Sequence, residues 1–193
     1  MNEAQRIERL TKVLNGSGAT VSHAFGIWAL NTELSDDHIS QLAGWADLDY
    51  LIAGSTKLTN ASLTTICSFQ RLTDLSIGNT AITGDAIACS GLPEAVQSLG
   101  LQSIPLPDGA IDKLLKCCDI SVLNVNRCNL SASSLTRIAE LPRLQILEAL
   151  GTHTTPESSR TLSRQYPQVL FRLRDGLWQD GICKRRPFPR EQT

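Results

Sequence analysis

Seven triplets of mostly apolar residues recur along the chain, each 24 residues after the last: Ala24/Ile27/Ala29, Leu48/Leu51/Ala53, Leu72/Leu75/Ile77, Val96/Leu99/Leu101, Ile120/Leu123/Val125, Leu144/Leu147/Ala149 and Gln168/Phe171/Leu173. A fixed period of this length means stacked supersecondary units, none of which can bury its own apolar face alone. Counting the first triplet residue as position 1, positions 1, 4 and 6 read as the inward residues of a short strand. Positions 3, 5, 7 and 8 then point outward. An uninterrupted period also argues for one elongated domain, with a core built as a row of thin layers. The 5% aromatic content suits such layers, because Leu, Ile, Val and Ala can fill them.

A helix start follows each strand. Position 12 reads Ser35, Thr59, Thr83, Pro107, Ser131 and Thr155, and a hydroxyl there can cap the free amides of a helix. Thr155 is followed by Pro156, favoured at the first helical position, and by Glu157 in the first turn. Positions 16 and 19 supply an inward stripe at helical spacing, as in Ile39/Leu42, Leu63/Ile66, Ile111/Leu114 and Leu135/Ile138. The unit is therefore strand, turn, short helix, turn.

Position 9 reads Thr32, Thr56, Thr80, Ile104, Cys128, Thr152 and Gly176, and position 11 reads Leu34, Leu58, Ile82, Leu106, Leu130, Thr154 and Trp178. The resulting pattern L-x-x-L-x-L-x-x-(T/C)-x-L resembles the leucine-rich repeat family over roughly residues 24 to 178, in the variety that carries threonine or cysteine where the family usually has asparagine. The resemblance implies an α/β right-handed solenoid, a horseshoe with a parallel sheet on one face and short helices on the other. Ile104 and Gly176 depart from the pattern, and Pro105 and Pro107 predict a locally irregular turn in the fourth unit.

The expected organisation is a single domain over 1–181: a helical cap over 1–23, six repeats over 24–167 and a capping strand over 168–181. Ile7, Leu10, Val13 and Leu14 stand at helical spacing before the Asn15-Gly16-Ser17-Gly18 break, which suits a cap for the first layer. Residues 182–193, with Lys184, Arg185, Arg186 and Arg190, are expected to form a disordered basic tail.

A formal net charge of −1 argues against broad binding of nucleic acid or anionic membrane. Glu3 and Glu8 stand where a secretory signal would need an apolar core, and no apolar run reaches membrane-spanning length. The six cysteines lack disulfide-framework or zinc-ligand spacing. A cytoplasmic protein with reduced thiols and no metal or other cofactor is the expectation. The chain holds no P-loop, GxGxxG, HExxH or GxSxG motif. Cys128 with His153 is the best pair for nucleophilic chemistry, but position 9 faces inward and argues against that use. The chain is therefore read as non-enzymatic.

The outward columns carry the candidate site. Position 3 runs Gly26, Tyr50, Asp74, Ser98, Val122, Ile146, Leu170; position 5 runs Trp28, Ile52, Ser76, Gly100, Asn124, Glu148, Arg172. Position 7 runs Leu30, Gly54, Gly78, Gln102, Asn126, Leu150, Arg174, and position 8 includes Asn79 and Arg127. Trp28, Tyr50 and Ile52 would be apolar anchors for a protein partner. Asp74, Ser76, Asn79, Gln102, Asn124, Asn126 and Arg127 would form a hydrogen-bonding strip, with Glu148, Arg172 and Arg174 beyond it. The competing reading of the apolar end is that the N-terminal segment folds over it. The function expected is a protein–protein interaction module, with no nucleic acid or membrane partner. The alternative is a substrate-recruiting adaptor subunit of a larger assembly, such as a ubiquitin ligase, or a host-directed bacterial effector. Either alternative would need a second docking element, which the N-terminal helix or the basic tail would have to supply.

Overall fold

The computed structural model describes residues 3–22, 26–45, 47–152 and 154–185. Each 24-residue step of the sequence contributes one strand to a single open sheet: β2 (Gly26–Trp28), β3 (Tyr50–Ile52), β4 (Asp74–Ser76), β5 (Ser98–Gly100), β6 (Val122–Asn124), β7 (Ile146–Ala149) and β8 (Leu170–Leu173). These seven pair in parallel, in chain order. Short β1 (Thr20–Val21) adds antiparallel to β2, while β9 (Gly176–Gln179) and β10 (Ile182–Arg185) follow β8 as antiparallel hairpins, making ten strands among the described residues.

Between strands the chain forms short helices: α2 (Asp36–Ser40), a 3-10 turn leading into α3 (Leu63–Cys67), α4 (Gly84–Ser90), α5 (Asp108–Leu114), α6 (Ala132–Ala139) and α7 (Pro156–Gln165). Position 12 is the N-cap in every unit. Thr83, Ser131 and Thr155 each accept an amide hydrogen bond from their own helix, and Ser35 forms a reciprocal pair with His38. No helix among the described residues is long and apolar enough to cross a membrane.

The inward columns fill the space between sheet and helices. Leu51, Leu75, Leu99, Leu123, Leu147 and Phe171 are all 2% exposed or less, and the position-16 residues pack behind them. Ala24 lies outside the described residues. In the last unit Gln168 is exposed and Val169 takes the core place instead. The extra residue lies ahead of the turn, in the longer α7: Val169 N–H bonds the Tyr166 carbonyl as Leu144 N–H bonds that of Leu141, but 25 residues on and not 24.

Position 8 has a backbone role. Asn31, Ser55, Asn79, Ser103, Arg127 and Gly151 have φ of 56°, 57°, 53°, 62°, 61° and 87°, the left-handed conformation that turns the chain off the strand. The position-9 threonines complete this corner: the Thr56, Thr80 and Thr152 hydroxyls each donate to the position-6 carbonyl of their own unit at 2.7 Å. Cys128 instead reaches the preceding unit, its Sγ 3.1 Å from the Leu101 carbonyl.

Two further ladders stitch the early units together on the helix-start side. Lys57 N–H donates to the Leu34 carbonyl and Ala81 N–H to that of Leu58. The Asp36 carboxylate takes the amide and hydroxyl of Thr59, and the Asn60 side chain takes the amide of Thr83. Both ladders stop at the fourth unit. Pro105 and Pro107 have no N–H to offer, and Gly84 has no side chain to receive one. The effect of the prolines is confined to these lost bonds: Ser103 keeps the left-handed corner and Pro107 the N-cap place found in the other units.

At the N-terminal end α1 (Glu3–Val13) buries Leu10, and Leu14 follows it into the core. Arg6 pairs with Asp47 at 2.7 Å, and the Arg9 guanidinium stands 5.5 Å from the Trp45 ring centre. At the other end, the first four residues of the segment expected to be a disordered tail are ordered. Residues 182–185 form β10, because Asp180 and Gly181, with φ of 51° and 73°, make a two-residue hairpin turn. The rest of that segment, 186–193, lies outside the described residues.

Candidate functional site

The sheet turns one face to the helices and leaves the other uncovered among the described residues. Strand pairing sets the outward columns in register: Tyr50 opposite Asp74, Ile52 opposite Ser76, Asn124 opposite Glu148, and Glu148 opposite Arg172. Neighbouring residues of a column lie about 4.8 Å apart. The sequence-derived site residues at positions 3, 5 and 7 are thus brought onto one surface. Asn79 and Arg127 sit at its rim, in the left-handed corner described above.

At the N-terminal end, β1 pairs with the edge of β2 and does not cover its outer face. Trp28 is 54% exposed and Leu30 43%. Tyr50 and Ile52 beside them are half-buried. The Tyr50 ring lies flat across Gly26, where a Cβ would come within 2.0 Å of the ring. A gap in one unit is thus the seat of a side chain from the next. Gln102 uses Gly78 in the same way, its Oε1 2.2 Å from where a Cβ would stand. Gly54 and Gly100 are bordered in turn by Leu30, Ser76 and Gln102, so the glycines of the middle of the face seat neighbouring side chains.

Toward the C-terminal end the face is held by one carboxylate. Glu148 accepts from Asn124 Nδ2 at 2.9 Å and from Asn126 Nδ2 at 3.4 Å, and pairs with Arg172 Nη1 at 2.9 Å. Asn126 Oδ1 accepts the Leu150 amide at 2.6 Å, and Asn124 Oδ1 accepts the Asn126 amide at 3.1 Å. These residues form one fixed network spanning three units. A partner would meet them already oriented, which lowers the ordering cost of association. Asp74 accepts from the Thr73 hydroxyl at 2.8 Å, and Arg174 is exposed.

The thiols carry little reactivity at their buried positions. Burial pushes Cys128 up to about 11, and backbone hydrogen bonds only partly oppose it. Burial also lifts Cys117 to about 11, with Cys118 and Glu94 adding to it. A nucleophile or metal ligand needs the thiolate. Among the described residues no group of three or more His, Cys, Asp or Glu is placed to hold a metal ion. His153 lies outside the described residues.

Neither a protein-family model nor a curated protein matches the chain. Sequence reasoning missed the glycine seats and the Glu148 network. Both had a signal: glycine at an outward strand position marks a close approach, and a carboxylate one unit from two amides and an arginine marks a cross-strand cluster.

Proposed function

We propose that this chain is a leucine-rich-repeat solenoid of horseshoe form, acting as a non-enzymatic module that binds a protein partner on its open sheet face. The observation that carries the reading is the exposure of Trp28 and Leu30 in the outward columns, beside Tyr50 and Ile52. An open sheet face selected for solvation alone would be polar there. Large apolar side chains at the centre of an interface supply most of its binding energy, and an aromatic residue loses little side-chain freedom in doing so.

The anchors occupy one end, Ser76 and the glycine-seated Gln102 the middle, and the oriented Asn124–Asn126–Glu148–Arg172 network the other. An elongated partner segment crossing the strands would meet these in turn. The test is affinity capture from the native source with the full chain, repeated with Trp28→Ala, Ile52→Ala and the helix-side control Lys113→Glu. A partner retained by Lys113→Glu and weakened by at least about 2 kcal/mol in either face variant, with unchanged thermal stability, supports the reading. A partner lost with Lys113→Glu and retained by both face variants overturns it.

A further inference from the structure

Where β9 folds back on β8, Leu177 comes to stand opposite Arg172, and Arg185 on β10 stands opposite Leu177. The outward columns therefore continue past the parallel strands and close one side of a cleft. This cleft has a volume of about 320 Å³ and is lined by Ile146, Glu148, Leu170, Arg172, Leu177 and Arg185, together with Gly176. Ile146, Leu170 and Leu177 are each only half-buried, so an aliphatic floor faces the opening. The space is of the size that receives a side chain or a small ligand.

Its surroundings are cationic. Arg172 and Arg185 line the cleft beside the carboxylate of Glu148, Arg174 stands two residues past Arg172 in the outward columns, and Arg127 sits at the rim of the same face two units back. Glu148 is already engaged by Arg172, Asn124 and Asn126. Asp175, the other acid nearby, turns its Oδ1 toward the Ser159 and Thr154 hydroxyls behind the sheet. Arg127 and Arg174 are both exposed. A guanidinium recognises carboxylate oxygens in pairs, and guanidinium groups beside an apolar floor select an acidic group attached to an apolar one.

We propose that this cleft binds a peptide segment in which a large aliphatic or aromatic side chain is adjacent to one or more carboxylates, the apolar group entering between Ile146, Leu170 and Leu177. This names partner chemistry for one end of the face and so rests on the protein-binding reading. It is tested with a phage-displayed library of random twelve-residue peptides panned on the full chain, the selected sequences then being titrated as fluorescein-labelled synthetic peptides. The expected result is enrichment of Leu, Ile or Phe next to Asp or Glu. Affinity should drop at least fivefold in Arg174→Glu and in Leu177→Glu, fall as salt rises, and stay within twofold in the helix-side variant Lys113→Glu. Should Leu177→Glu not fold, Leu177→Ala replaces it. Failure to select any peptide, selection without acidic enrichment, or affinity indifferent to Arg174→Glu overturns the inference. If the captured partner is lost with Trp28→Ala but unaffected by Arg174→Glu and Leu177→Ala, this inference fails while the protein-binding reading stands.

Discussion

Gly84 lies directly against the Pro105 carbonyl: a Cβ at position 84 would stand 2.0 Å from that oxygen and 2.5 Å from the Pro107 ring. Gly84 opens α4, where alanine would ordinarily be welcome, so the glycine is required by the neighbouring unit and not by its own helix. Gly84→Ala is expected to destabilise the chain by about 1–3 kcal/mol, because backbone must shift to relieve the overlap. Gly109→Ala is the control, since its Cβ would meet only the Ala88 methyl at 3.3 Å. Denaturant titration should show the first variant clearly weakened and the second changed by less than about 1 kcal/mol.

The central layers make a second expectation. Leu99 and Leu123 are 2% and 0% exposed, with a filled layer on either side. Truncation to alanine leaves a cavity that neighbouring layers cannot collapse into, at a cost of about 2–5 kcal/mol each. Ser76→Ala, on the open face, should change stability by less than about 0.5 kcal/mol. Equal losses at Leu99 and Ser76 in chemical denaturation would contradict the observed burial.

The period made the strands, the inward columns and the helix caps legible, because each is a side-chain requirement repeated every 24 residues. Backbone requirements were harder to read. Asn79 and Arg127 look like binding residues by type, yet the first six residues of their column all adopt the left-handed conformation, which Asn, Ser and Gly tolerate. The run Asn, Ser, Asn, Ser, Arg, Gly carried that signal. Asp180-Gly181 likewise announced a hairpin across the boundary drawn between capping strand and tail. The Gln168-to-Val169 slip was not legible, since it depends on how the α7 helix ends and not on the strand pattern. At the site, the columns followed from the period, whereas the cleft beside Leu177 depends on a fold-back that lies outside it.

Acid should loosen the first two units. Partial burial raises the Asp36 carboxyl, but hydrogen bonds from Ser62 and Thr59 to the charged form outweigh it and hold the group below its ordinary value. A depressed folded value contributes stability above the ordinary carboxylate range and loses it as pH falls through the folded value. Asp36→Asn is therefore expected to lower Tm at pH 7, with the gap from the parent narrowing as the pH is taken below about 4. A gap that stays constant from pH 7 to pH 2.5 would show that ionisation of Asp36 is not what ties the units together.

Thiol accessibility separates the cysteines. Cys89, Cys118 and Cys183 are exposed, while Cys117 and Cys128 are buried with their thiols lifted to about 11. At pH 8 iodoacetamide should label the exposed three within minutes and leave the buried two unmodified until denaturant is added, as read by peptide mass mapping. Fast native labelling of Cys128 would mean that its corner opens and that its bond to the Leu101 carbonyl is not maintained.

The Glu148 network separates pairing from satisfaction. Arg172 and Glu148 are partly exposed, 39% and 23% by side chain, so their mutual attraction is screened and a double-mutant cycle should return no more than about 1 kcal/mol. Asn126 is different, because its Oδ1 receives the Leu150 amide, the next unit's backbone. Asn126→Ala removes that acceptor and one of the donors to Glu148 together, and is expected to cost about 1–3 kcal/mol. Asn126→Asp preserves the acceptor but places a second carboxylate beside Glu148, so it should recover part of the loss in high salt and less in low salt. If Asn126→Ala proves no more costly than Arg172→Ala, the hook to Leu150 contributes nothing to stability, and the C-terminal end of the face is held by strand pairing alone.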